Sequence, residues 1–75
     1  MTNKPPVHQI RIGRVVGKVW LNESDGKSWH NVTLGRLYKD GEDWKTSESF
    51  GRDDLPLVMK VADQCHSWIY EQGQG

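Results

Sequence analysis

Three histidines, one cysteine and ten carboxylates are the side chains of this chain that could do covalent or acid–base chemistry. Their spacing argues against it. His8 precedes the first strand pattern, His30 lies in the second and His66 in a C-terminal helical pattern. No serine, cysteine or carboxylate stands where it would orient any of them. Cys65 and His66 are neighbours, so on a helix their side chains diverge by about 100° and cannot chelate one ion. Cys65 falls on an apolar stripe and reads as a small buried thiol. Gly13 and Gly17 make no phosphate loop, because no Gly-Lys-Ser/Thr leads into a helix. Asp40, Glu42 and Asp43 read as a solvated hairpin tip, lacking the glycine and ligand spacing of a calcium loop. No catalytic residue, metal or cofactor is expected, and the chain is not read as an enzyme.

Non-covalent binding is the chemistry that the residue types support. Alternation leaves one sheet face opposite the core, and the first strand pattern offers Arg14, Lys18 and Trp20 to it. The second offers Trp29, Asn31, Thr33, Arg36 and Tyr38, and the third offers Lys45 and Ser47. Cations that follow phosphates, interleaved with aromatics on which unpaired bases stack, are what a single strand needs. Duplex reading is not expected, because the helical segment bears only Lys60 beside Asp63 and Glu71. Trp20 and Trp29 carry two readings, as stacking platforms or as a cross-strand pair that flanks the first hairpin and covers a thin core. Trp44, aligned with Phe50, and Trp68, on the helix stripe, read as structural. Arg36 and Tyr38 are the stronger binding candidates, and lone cations such as Lys27 and Lys39 read as solvated.

The elements that must position these groups follow from periodicity. Residues 8–23 alternate as one long strand whose apolar phase shifts from even to odd numbers at Gly13, as a bulge would shift it. Asp25-Gly26 is a hairpin signal. A second strand runs over about 28–39, with Val32 and Leu34 inward. A further phase change near Gly35 would turn Leu37 in and Arg36 and Tyr38 out. Asp40-Gly41 opens the next turn, and residues 43–50 form a weaker, edge-like strand with Trp44, Thr46, Glu48 and Phe50 on one face. Asp53 or Asp54 caps a helix over 54–70, with Pro56 in its first turn. Val58, Val61, Ala62, Cys65, Trp68 and Ile69 form its apolar stripe. The expected fold is α+β: an antiparallel three- to four-stranded β-meander over 8–50, then one amphipathic helix. Residues 1–7 and 71–75 read as tails.

Length and charge bound the rest. A chain of 75 residues holds one domain with a thin core, so burial against a partner is expected. One cysteine permits no internal disulfide and fits a reducing compartment. The sequons at Asn22 and Asn31 read as chance matches, because residues 1–6 are polar and proline-broken. No apolar run reaches the roughly 18 residues of a membrane span, and a cytoplasmic location is expected. The zero net charge divides unevenly. Residues 1–39 hold seven basic and two acidic side chains, a balance of +5, and residues 40–75 hold three and eight, a balance of −5. Such a split suits a polyanion partner, or simply draws the two halves together.

A basic bent strand (Arg14-Val15-Val16-Gly17-Lys18-Val19), acidic hairpin tips, the segment from Trp29 through Asn31, Thr33 and Arg36 to Tyr38, and a capped terminal helix occur in that order. The order resembles the single-stranded-DNA-binding fold of the positive cofactor four (transcriptional coactivator) and Whirly group. The resemblance covers about residues 10–70 and is one of architecture. It implies a homodimer assembled largely through helices, with unpaired DNA on the sheet. Arg14, Lys18, Trp20, Trp29 and Arg36 would lie on the nucleic-acid face, and Val58, Val61, Trp68 and Ile69 at core or dimer contacts. The functional expectation is a module for single-stranded nucleic acid, DNA more than RNA. The alternative is a protein-interaction module using an edge strand or the helix.

Overall fold

A computed structural model describes residues 5–72. Of the tails expected from the sequence, residues 1–4 and 73–75 lie outside that range. Order reaches into the remainder: the Val7 amide donates to the Val19 carbonyl at 2.8 Å, and Glu71 closes the helix. Four strands, β1 (His8–Ile12), β2 (Val15–Ser24), β3 (Lys27–Asp40) and β4 (Asp43–Ser47), form one antiparallel sheet in chain order. A 3-10 turn (Arg52–Asp54) then leads into the helix α1 (Leu55–Glu71). This is the α+β meander with one terminal helix that the alternation predicts, with β4 at the expected edge.

The bent strand expected over 8–23 divides at Gly13 into two, which makes the meander four-stranded rather than three-stranded. Ile12 pairs with Val15 across the two-residue turn Gly13-Arg14, and Gly13 has φ 61°. Glycine first in a two-residue hairpin loop is the type II′ signature. A bulge and a two-residue turn both flip the parity of inward positions, so the phase shift at Gly13 could not tell one from the other. Asp25-Gly26 makes the second turn, with Ser24 paired to Lys27 and both central residues at positive φ, as type I′ requires. Each turn flips parity. Even positions face the helix in β1 and β3, odd positions in β2.

The second expected phase change does not occur. β3 pairs without interruption from Lys27 to Asp40, so Arg36 and Tyr38 keep the helix-side phase of Leu34 while Leu37 faces away. On the last strand, Trp44 and Thr46 share a face as expected, but Phe50 has left it and packs against the core from the helix side.

The helix lies over β1, β2 and the near part of β3. Val15 and Val19 meet Val61 and Cys65, all four without solvent exposure, and Ile10, Ile12, Leu34, Leu57, Val58, Trp68 and Ile69 pack around them. Fully burying such a side chain contributes about 1.5–3 kcal/mol. Ala62, expected on the same stripe, is exposed. His8 stacks on Trp68 with ring centroids 4.6 Å apart, and His30 meets the same indole edge-on at 5.8 Å. Two of the three histidines thus hold the last turns of α1 against the sheet. No helix among the described residues is long and apolar enough to cross a membrane.

Gly17 sets how closely α1 approaches. A Cβ there would come 2.5 Å from Val61 Cγ1, 3.0 Å from Cys65 Sγ and 3.2 Å from Leu34 Cδ2, so the packing would have to shift. Gly17→Ala is expected to destabilise the domain by about 1–3 kcal/mol, lowering Tm by roughly 4–8 °C per kcal/mol. Thermal unfolding checks this, and G17A combined with V61A should lose less than the two single losses together.

Candidate nucleic-acid interface

The three parity flips decide which side chains share the sheet face away from α1. On β2 they are Val16, Lys18, Trp20 and Asn22, and the register sets Val16 against Gly35, Lys18 against Thr33, Trp20 against Asn31 and Asn22 against Trp29. On β1, Gln9 and Arg11 stand opposite Lys18 and Val16. At the far end, Lys39 on β3 stands opposite Trp44 on β4, and Leu37 opposite Thr46. Of the expected binding residues, Lys18, Trp20, Trp29, Asn31 and Thr33 therefore lie together.

Trp20 and Trp29 are diagonal neighbours, not an opposed pair. The Trp20 indole N–H donates to Thr33 Oγ1 at 2.8 Å, which anchors that ring. Trp29 is 44% exposed. Trp44, read from the sequence as structural, is 65% exposed. Between the two ends lies a groove of about 620 Å³ whose lining includes Val16, Lys18, Trp20, Thr33, Gly35 and Thr46, with Glu48 and Ser49. Its relief is low at Gly35, where a Cβ would fall 2.4 Å from Thr46 Cγ2. A side chain there would have to push the Thr46 methyl aside.

Four expected binding residues lie on the other face. Arg14 and Arg36 turn to Asp54, a carboxylate only 2% exposed at the start of α1. Arg14 Nε donates to Asp54 Oδ1 at 2.9 Å, the Gly51 amide donates to Oδ2 at 2.9 Å, and Arg36 Nε is 3.9 Å from Oδ2. The last distance is an ion pair without a hydrogen bond. Lys45 donates to Asp40 at 2.9 Å, with Tyr38 directly across from it. The phase change expected at Gly35 fails for this reason: a buried carboxylate on the helix side holds Arg36 inward. Asp54 does not cap α1 forward with its side chain as expected. It reaches back to the loop instead.

Arg11, Lys39 and Trp44 were missed as face residues. Reading Gly13-Arg14 as a hairpin turn would have placed Arg11 beside Val16, and keeping one phase through β3 would have placed Lys39. The helix residues expected at core or dimer contacts take the core role: Val61 and Cys65 are fully buried under the sheet, and Val58, Trp68 and Ile69 are half-buried there. Among the described residues, no group of three or more His, Cys, Asp and Glu is placed to hold a metal ion. Burial pushes the Cys65 thiol pKa up, which makes it a poor nucleophile. Comparison with protein-family models, with curated proteins and with solved structures returns no match to this chain.

The Gly51 amide first, then the Arg14 guanidinium, hold the Asp54 carboxyl below its ordinary value of 3.8. Its folded pKa is the lower one, so its contribution is complete above that ordinary value and is lost as pH falls through the folded pKa. Denaturant unfolding followed from neutral pH downward is expected to show this acid-side loss in the wild type and a flatter profile in Asp54→Asn. The variant should be less stable at neutral pH, since the Arg14 and Arg36 charges lose their counter-ion.

Proposed function

We propose that this chain is a non-enzymatic module that binds unpaired nucleic acid, DNA in preference to RNA, on the sheet face away from α1. The observation that carries the reading is one face shared by three tryptophans, Trp20, Trp29 and Trp44, and by Arg11, Lys18 and Lys39. Unpaired bases stack on exposed indoles for about 1–3 kcal/mol each, and the three cations follow the phosphates. Asn31 and Thr33 supply polar atoms between them. The helix supports no duplex reading, because its one cation, Lys60, stands beside Asp63 and Glu71. In this reading the protein works in the cytoplasm.

Titration of tryptophan fluorescence with oligothymidylate is expected to show quenching at micromolar protein in low salt. With three phosphate contacts, log K should fall against log salt with a slope of about −2, and Lys18→Ala should flatten it by roughly 0.7. Trp29→Ala should cost about 5- to 150-fold in affinity, the range of one stacked base. Lys45→Ala, on the opposite face, should change little. Absence of quenching by the wild type in low salt rejects the reading.

A second reading, a protein-interaction surface, is favoured by one flank of α1, where Leu55, Met59 and Tyr70 are exposed, Met59 at 71%. These positions lie roughly 110° around the axis from the buried stripe, given 100° per residue. A second copy of the chain is the partner proposed for that flank, replacing the expected contacts that the core consumes. Sedimentation equilibrium is expected to show a two-chain mass at micromolar concentration, reduced to one chain by Met59→Lys. A one-chain mass for the wild type across that range rejects it.

A further inference from the structure

We infer that the interface is divided into two stacking platforms, one at each end of β3, that together hold a strand of about six nucleotides. The inference rests on the proposed function and adds what that reading leaves open: the length of ligand and the part played by the last hairpin, β3–β4. Trp29 lies near the start of β3, with Trp20 diagonal to it, whereas Trp44 stands opposite Lys39, ten residues further along the same strand. At about 3.3 Å per residue the two platforms are roughly 33 Å apart, inside a molecule 43 Å long. A strand pulled out to about twice its duplex rise of 3.4 Å per nucleotide covers that span in five or six nucleotides.

The cations between the platforms fit such a path. Measured along β3 from Trp29, Lys18 is level with Thr33, Arg11 is level with Gly35 through Val16, and Lys39 is level with Trp44. These levels are roughly 13, 20 and 33 Å along the axis, spacings of about one and two steps of an extended backbone. Beyond Trp20, which borders it on the near side, the middle of the face has no tryptophan: Gly35 lies low there, and Val16, Lys18, Thr33 and Thr46 line a groove of about 620 Å³ that Glu48 also borders. Bases therefore stack at the ends, and the backbone crosses the middle along the cations.

Lys39 and Trp44 make this testable apart from binding itself, because they belong to the far platform and are exposed. Affinities of the full chain would be measured for oligothymidylates and oligouridylates from about three to about eighteen nucleotides, lengths that bracket the site sizes of single-strand binders. Affinity is expected to climb steeply to about six nucleotides and then rise only by the number of ways a longer strand can register. Trp44→Ala should weaken the six-mer by about tenfold or more while leaving the trimer, which the Trp20/Trp29 platform can hold, within about twofold. Trp44→Phe, which keeps a ring, should recover most of the loss. A plateau at three nucleotides, or a six-mer indifferent to Trp44→Ala, overturns the divided interface while binding stands. No binding at any length overturns both. The uridylate series reports whether the same span serves RNA.

Discussion

The carboxylate of Asp54 ties the strands, the loop after β4 and the helix to one another. It accepts from Arg14 in the first turn and from the Gly51 amide in the loop, and it faces Arg36 on β3. Asp54 immediately precedes Leu55, the first residue of α1, so these contacts fix where the helix begins relative to the sheet. The fixed start then lets Val61 and Cys65 come down on Gly17, where a Cβ would force the packing to shift. A buried carboxylate of this kind contributes only while its partners remain in place. Removing one leaves an uncompensated charge, which is costlier than never having had the pair. In a domain with so few fully buried side chains, that makes the polar cluster as much a condition of the fold as the apolar core.

The same cluster determines what the opposite face can do. Arg14 and Arg36 belong to the basic first half of the chain, and Asp54 belongs to the acidic second half. The charge split along the sequence is therefore partly spent in holding the halves together. The part that is not spent is selected by geometry: Arg11, Lys18 and Lys39 are on the side of the sheet that α1 does not cover. A chain of zero net charge thus acquires one locally basic surface without a basic total.

Period-two alternation made the strands and their edge order legible in the sequence, and the spacing of Val58, Val61, Cys65, Trp68 and Ile69 did the same for the helix. Two signals were ambiguous for definite physical reasons. A parity shift at glycine is common to a bulge and to a two-residue hairpin, so the bend at Gly13 hid the division of β1 from β2 and, with it, the position of Arg11. Arg36 beside Leu37 looks like an outward cation beside an inward apolar residue, the usual preference. Only knowledge that a carboxylate forty residues from Arg14 in the chain would be buried on that side could reverse it. The long-range pairs of Arg14 and Arg36 with Asp54 leave no periodic trace, whereas Tyr38 and Lys45 lie on the helix side because β3 keeps one phase into the last hairpin.

Trp44 shows the converse. Its alignment with Phe50 suggested a shared inward face, yet β4 ends at Ser47 and the chain turns, taking Phe50 to the core and leaving the indole in solvent. Trp68 shows what a structural tryptophan looks like here, with one imidazole stacked on it and another at its edge. Trp44 has an exposed ring directly opposite a lysine at the end of the longest strand. Exposing that much aromatic surface forgoes burial that a small domain needs, worth about 25 cal/mol per Å². The folded monomer recovers none of it at that position. A base stacked on the ring would recover it, and Lys39 alongside would meet the phosphate that such a base carries.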